Sequence, residues 1–239
     1  MHAAQFSVGC RRNAIPTSRV VPTVRIDIWS DIACPWCYLG LTRLDAALAR
    51  FEHGESVQVE LHSFQLDPSL PESFAGTEAE YLAQSKGLDV EAVHRMTGQV
   101  AAAAATAGLT LDFDRLVVAN SRRAHRLLQE AKAVSADVAW RLELALFRAH
   151  FTDGGDIGDP DTLVELASAA GLDGARARAA LDSPERDAAV AKDIDEAARL
   201  GIRGVPFFVL AGKYGVSGAQ PPETFDQALK QVWDELQTV

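Results

Sequence analysis

Cys34-Pro35-Trp36-Cys37 is the stretch of this sequence whose residue types and spacing could do chemistry. Such a pair can clip a metal, pack inertly in a core, or exchange electrons as a dithiol. Structural zinc takes four ligands, usually two such pairs or one pair plus spaced histidines. The chain has three cysteines in all and no second CxxC, and His53 and His62 lack ligand spacing. No metal is expected. An inert pair is disfavoured because Pro35 marks the first turn of a helix, which puts Cys34 at the helix end.

The remaining reading is a dithiol. Thiolate is the nucleophile of disulfide exchange, and a helix N-terminus favours it with unpaired N–H groups and about half a positive charge. Cys34 is expected there, with Cys37 three residues on and on the buried stripe. In this arrangement Cys34 attacks and Cys37 resolves the mixed disulfide.

The neighbouring elements must hold that geometry. Val24, Ile26 and Ile28 alternate and predict a strand; Val57, Val59 and Leu61 predict a second. Between them Cys37, Leu41, Leu44, Leu48 and Phe51 fall on one helical stripe. From about 75 to 200 the chain is Ala-rich and helical. One amphipathic helix runs through Ala124, Leu127, Leu128, Ala131 and Val134, another through Leu142, Ala145, Leu146 and Ala149. Asp159-Pro160 and Pro184 open two more, and Gly87, Gly108, Gly171 and Gly201 mark helix ends. The alanines at 101–105 are expected in a tightly packed helix. Pro206 to Leu210 and Lys213 to Ser217 predict a hairpin turned at Ala211-Gly212. A last helix behind Pro221 and Pro222 carries Phe225, Leu229, Val232 and Leu236.

The order is strand–helix–strand, a helical block, then strand–strand–helix. It predicts an α/β protein with a thioredoxin fold: a central mixed β-sheet interrupted by a large all-helical insertion. The expected boundaries are 1–22 for a tail, 23–74 and 200–239 for the thioredoxin-like part, and 75–199 for the insertion. A proline opening a strand is unusual; a cis Val205-Pro206 bond would place that loop beside the CxxC and leave the Val205 backbone free to pair with an extended substrate.

The chain has 239 residues, 48% hydrophobic and 23% charged, with a net charge of −10. That balance argues against a nucleic-acid surface. No apolar run approaches the roughly 20 residues of a membrane helix. The first 22 residues have arginines but no secretory h-region, so a cytoplasmic location is expected. Cys10 lies in that stretch, and three cysteines do not make a disulfide-stapled secreted scaffold.

The stretches "DIWSDIACPWCYLG", "FQLDP", "NSRRAHRL", "DIGDPDTLVELA" and "GIRGVPFFVLAGKYGVSGAQPPE" resemble the DsbA family of thiol–disulfide oxidoreductases, and within it the FrnE-like branch. The resemblance spans about 24 to 238. It implies dithiol–disulfide exchange with protein substrates at Cys34, Cys37 and Pro206. Val205, Pro35, Trp36, Asn120 and His125, with Ser121, would line the substrate groove. It also implies no cofactor beyond the Cys34–Cys37 disulfide, with glutathione or a thioredoxin system resetting the pair, in a monomer or homodimer. Strong oxidants of the family carry a histidine between the cysteines. Pro35-Trp36 brings bulk and no positive charge, which points to a milder oxidant or an isomerase.

Three other readings compete. Glutathione-dependent isomerases and transferases, kappa-class or hydroxychromene-carboxylate isomerase-like, share this architecture but generally carry serine at the position of Cys34. A holdase with vestigial thiols is the second. A calcium loop in "DGGDIGDPDTLVE" is the third, and it fails: counted from Asp153, ligand positions 3, 5 and 12 are Gly155, Ile157 and Val164. Trp29, Trp36 and Phe64 are candidates for an apolar rim around Cys34.

Overall fold

The computed structural model describes residues 23–72 and 74–238; the expected tail and Cys10 lie outside them. Strand β1 (Val24–Ser30) leads into helix α1 (Pro35–Arg50) and strand β2 (Val57–Ser63). Seven helices follow: α2 (Glu78–Lys86), α3 (Val90–Ala105), α4 (Arg122–Val134), α5 (Ala136–Arg148), α6 (Pro160–Ala170), α7 (Gly174–Ala180) and α8 (Pro184–Arg199). Strands β3 (Phe207–Leu210) and β4 (Tyr214–Ser217) and helix α9 (Pro222–Gln237) complete the order.

The sheet order is β2-β1-β3-β4, with β1 parallel to β2 and antiparallel to β3. It is the mixed sheet with a helical insertion that the sequence pattern predicts. Val24, Ile26 and Ile28 are fully buried on one face, in the main core with α1 and α9. Trp29 points the other way into a smaller cluster with Ala197 and Ile202, beside Phe64 and Phe207. Both faces of β1 are thus covered, so its C-terminal end is a fixed platform for the CxxC.

Asp159 and Ser183 cap α6 and α8 as their prolines suggest, each side chain accepting from a backbone N–H. The alanines at 101–105 do form helix, but only Ala104 is buried. Helix α3 turns one face inward, and its other alanines meet solvent.

In the β3–β4 turn Ala211 sits at φ 52° and Gly212 at φ 66°. A Cβ in the left-handed region is costly and asparagine tolerates it better. Ala211→Asn is expected to raise stability by about 0.5–1 kcal/mol. Urea denaturation would show it, and an unchanged or lower midpoint would refute it.

Candidate active site

Cys34 ends the β1–α1 loop as the N-cap of α1, extended at φ −107° and ψ 110°, and Pro35 occupies the first helical turn. The backbone N–H of Cys34 donates to Asp31 O at 3.0 Å, and that of Cys37 donates to Cys34 O at 3.0 Å. These bonds fix both sulfurs to the loop and the first turn. Cys34 and Cys37 are both free thiols. Burial pushes the Cys37 thiol well above its ordinary range, and the Cys34 sulfur beside it adds to the effect.

The Val205-Pro206 bond is cis, as expected from the strand-opening proline. The Cys34 thiol donates to Val205 O at 3.6 Å. Gly40, one turn beyond Cys37, makes this approach possible. A Cβ there would come within 2.8 Å of Pro206 Cγ and 3.2 Å of Phe208. Nothing in periodicity singles out Gly40; it looks like any small residue on a helix.

Cys34 is only 4% exposed, so its sulfur does not stand open on the surface as a helix end suggests. It lies instead in the wall of a cavity of about 590 Å³. The insertion closes over the loop from above. Trp36, 40% exposed, and Leu66, 52% exposed, form the apolar part of the cavity's rim. Trp29 and Phe64 do not join them. Trp29 is buried, stacks on His62 at 4.4 Å and donates from Nε1 to Asp193 O, while Phe64 packs beside it.

Asn120 and His125 stand behind the cavity wall, and only Ser121 of that motif lines it. The side-chain oxygen of Asn120 accepts from Gln65 Nε2 and from the backbone of Arg122, and its Nδ2 donates to Leu70 O. It ties loops together. His125 is 1% exposed with Nε2 3.2 Å from Asp31 Oδ1. The arginines of "NSRRAHRL" clamp helices: Arg122 and Arg126 both hold Asp187 at the start of α8. That conspicuous motif therefore builds the insertion and touches the site mainly through Ser121.

Asp31, which sequence reasoning passed over, is the hinge of the site. It is 1% exposed, and its Oδ1 accepts from Ala33 N at 3.2 Å while Oδ2 accepts from Leu66 N at 2.7 Å. Burial alone would raise its carboxyl; the His125 hydrogen bond and charge outweigh burial and hold it below the usual range. The signal available was an aspartate three residues before the first cysteine, where a strand leaves a buried core.

Deeper still, Ser30 Oγ, His125 Nδ1 and Glu143 Oε1 have no hydrogen-bond partner among the described residues and border a space of about 10 Å³. Burial pushes the Glu143 carboxyl up to about 7. A carboxyl raised in the folded state from 4.5 makes the unfolded chain lose its proton first, so stability falls as pH climbs from 4.5 to 7. The shift corresponds to roughly 3 kcal/mol. Glu143→Gln is expected to flatten that decline in urea melts at pH 5 and pH 7.5; an unchanged slope would refute it.

His62, Asp193 and Glu196 come within 4.8 Å of one another, a spacing a metal could use. Both His62 nitrogens already face carboxylates, Asp27 at 2.8 Å and Asp193 at 3.3 Å. Lys132 Nζ lies 3.5 Å from Asp193 Oδ2. The cluster carries its own cation and reads as an ion-pair network tying β2 to α8.

No helix among the described residues is long and apolar enough to cross a membrane. The description of the DSBA-like thioredoxin domain fits residues 25–230. The chain belongs to the DSBA-like thioredoxin domain family. A member-like structure from Streptomyces coelicolor, described as a probable DsbA oxidoreductase, is 42% identical over 89% of this chain and 91% of that one, with a TM-score of 0.81. Two more distant structures share the fold. The cytosolic disulfide reductase DsbM of Pseudomonas aeruginosa, solved with GSH, is 20% identical over 87% of this chain and 98% of its own, at a TM-score of 0.59. A 2-hydroxychromene-2-carboxylate isomerase is 14% identical over 87% and 95%, at 0.61.

Proposed function

We infer that this DSBA-like protein is a thiol–disulfide oxidoreductase or isomerase of the FrnE-like branch, working in the cytoplasm on protein disulfides and thiols. The observation that carries the reading is the pairing of two unequal sulfurs. Cys34 is at a helix N-terminus against the Val205 carbonyl, and Cys37 is fully buried beside it.

In the reducing direction, Cys34 thiolate attacks one sulfur of a substrate disulfide. The substrate S–S bond breaks, a Cys34–substrate bond forms, and the departing thiolate takes a proton. Cys37 then loses its proton and attacks Cys34 Sγ; the second substrate thiolate leaves, protonates, and the dithiol has given up two electrons. Burial keeps Cys37 protonated until the adjacent sulfur is electrophilic. The exposed Trp36 offers an apolar contact to an unfolded chain, and the Val205 backbone offers a strand-like one. A small thiol of the glutathione kind or a thioredoxin system is the proposed resetting partner.

The glutathione-isomerase reading gains support from the cavity next to Cys34 and from the likeness of fold. A second, resolving sulfur has no task in it.

The test is a glutathione redox titration of the purified protein, with thiols counted by mass. A Cys34–Cys37 disulfide closing at about −180 mV or above supports an oxidase or isomerase, and one near −270 mV a reductase. No disulfide at any poise removes the thiol-exchange reading.

A further inference from the structure

Accepting thiol exchange at Cys34, the cavity itself says which small molecule can reset the pair. Its volume, about 590 Å³, falls within the range of small-molecule sites and is enclosed enough to surround one ligand. An extended protein chain pairing with the Val205 backbone would not need such depth. Leu70, Met96, Val100, Phe113 and Val118 give the cavity a largely apolar wall.

Its charged groups are unbalanced. Asp31 and Asp67 line it, with Glu78, whose carboxyl burial pushes up to about 7 and leaves partly ionised near neutral pH, against Lys86 as the lone lysine or arginine among its lining residues. Tyr81 donates to Asp67 Oδ2 at 2.9 Å, which fixes that carboxylate in place. His150 borders the cavity from the π-helical turn Ala149–Asp153 that follows α5. Its ring is 3% exposed, and burial lowers it to about 4, so it brings no positive charge near neutral pH. A ligand with several carboxylates would enter a like-charged, partly apolar space.

We propose that this cavity seats a low-molecular-weight disulfide, or the thiol derived from it, that carries no net negative charge, and that this class resets the Cys34–Cys37 pair in preference to glutathione. In the oxidising direction Cys34 thiolate attacks R–S–S–R, RS⁻ leaves and is protonated, and Cys37 displaces the second RS⁻ while giving up its proton. Two electrons pass to the small disulfide, which leaves as two RSH.

The reduced protein is mixed with 2-hydroxyethyl disulfide (neutral), cystamine (dicationic) and glutathione disulfide (anionic), and Cys34–Cys37 closure is timed by acid quench and mass. Each rate is divided by that of dithiothreitol with the same disulfide, which removes intrinsic reactivity. Normalised rates for the neutral and cationic probes are expected to exceed glutathione disulfide by about tenfold and to saturate with concentration. Glu78→Lys, at the partly exposed edge, is expected to narrow the gap severalfold, and His150→Leu to weaken saturation by the neutral probe. Equal normalised rates, a preference for glutathione disulfide, or a gap untouched by Glu78→Lys would overturn the proposal while leaving thiol exchange standing. If no probe closes the pair, the underlying reading fails and the proposal falls with it.

Discussion

Cys34→Ala is expected to lower disulfide exchange by three or more orders of magnitude, and Cys37→Ser to leave attack intact but strand the product as a mixed disulfide. The two sulfurs, one helical turn apart, are unequal. Cys34 lines the cavity wall; Cys37 is fully buried with its thiol driven upward by that burial. Thiolate concentration falls tenfold for each unit of such a rise, and access falls with it, so Cys37 cannot substitute as the attacking group. Removal of a lone nucleophile costs other enzymes a factor on the order of 10⁶, with residual rate from binding alone. The check is single-turnover reduction of a peptide disulfide with mass spectrometry of trapped protein. In Cys37→Ser one equivalent of substrate should accumulate on Cys34. Wild-type rates in Cys34→Ala, or no adduct in Cys37→Ser, would overturn the assignment of attacking and resolving roles.

Asp31→Ala is expected to destabilise the fold by about 3–5 kcal/mol, because it removes a buried carboxylate from the three donors around it. The substitution would leave His125 Nε2 and the N–H groups of Ala33 and Leu66 without their acceptor in a region closed to water. Asp31→Asn keeps the volume and one acceptor, and its cost is expected at about 1–3 kcal/mol. Since the native carboxyl is held below the ordinary range, its contribution is present above the unfolded value near 4 and is lost as pH falls through the folded one. Urea melts of both variants at pH 7 and pH 3.5 test the point. A loss below 1 kcal/mol in Asp31→Ala would mean the loops are held by other contacts. Activity should fall with the alanine variant as well, because Asp31 is what ties the Cys34 loop, the Leu66 loop and α4 to one another.

The frame of the protein was readable from its periodicities because burial there is repetitive. Val24, Ile26 and Ile28 alternate and are all buried; Phe225, Leu229 and Val232 recur at helical spacing and are all buried. The cysteines and the strand-opening proline were readable because few sequences place those residues so without cause. What sequence could not separate was the working residue from the supporting one. His125 and Asn120 sit in a conspicuous basic motif, yet they face loops and a buried aspartate. Asp31, Gly40 and His150 owe their places to contacts with residues far along the chain, and no local pattern records such contacts. The same holds for Trp29, whose spacing suits a rim or a core equally until α8 is placed over it.

The sulfur of Cys34 and the carbonyl of Val205 that meets it are separated by 171 residues. The whole helical insertion lies between them. At about 5–20 residues per second, a ribosome would release the dithiol roughly 10–30 s before the loop that completes its surroundings. Throughout that interval the nascent chain carries a CxxC without the Val205 loop or β3. Closing so long a loop also makes this contact a non-local one, of the kind that slows folding. The CxxC site is therefore encoded early and assembled late, and a chain cut short anywhere in the insertion would keep both cysteines while lacking the Val205-Pro206 loop that meets Cys34.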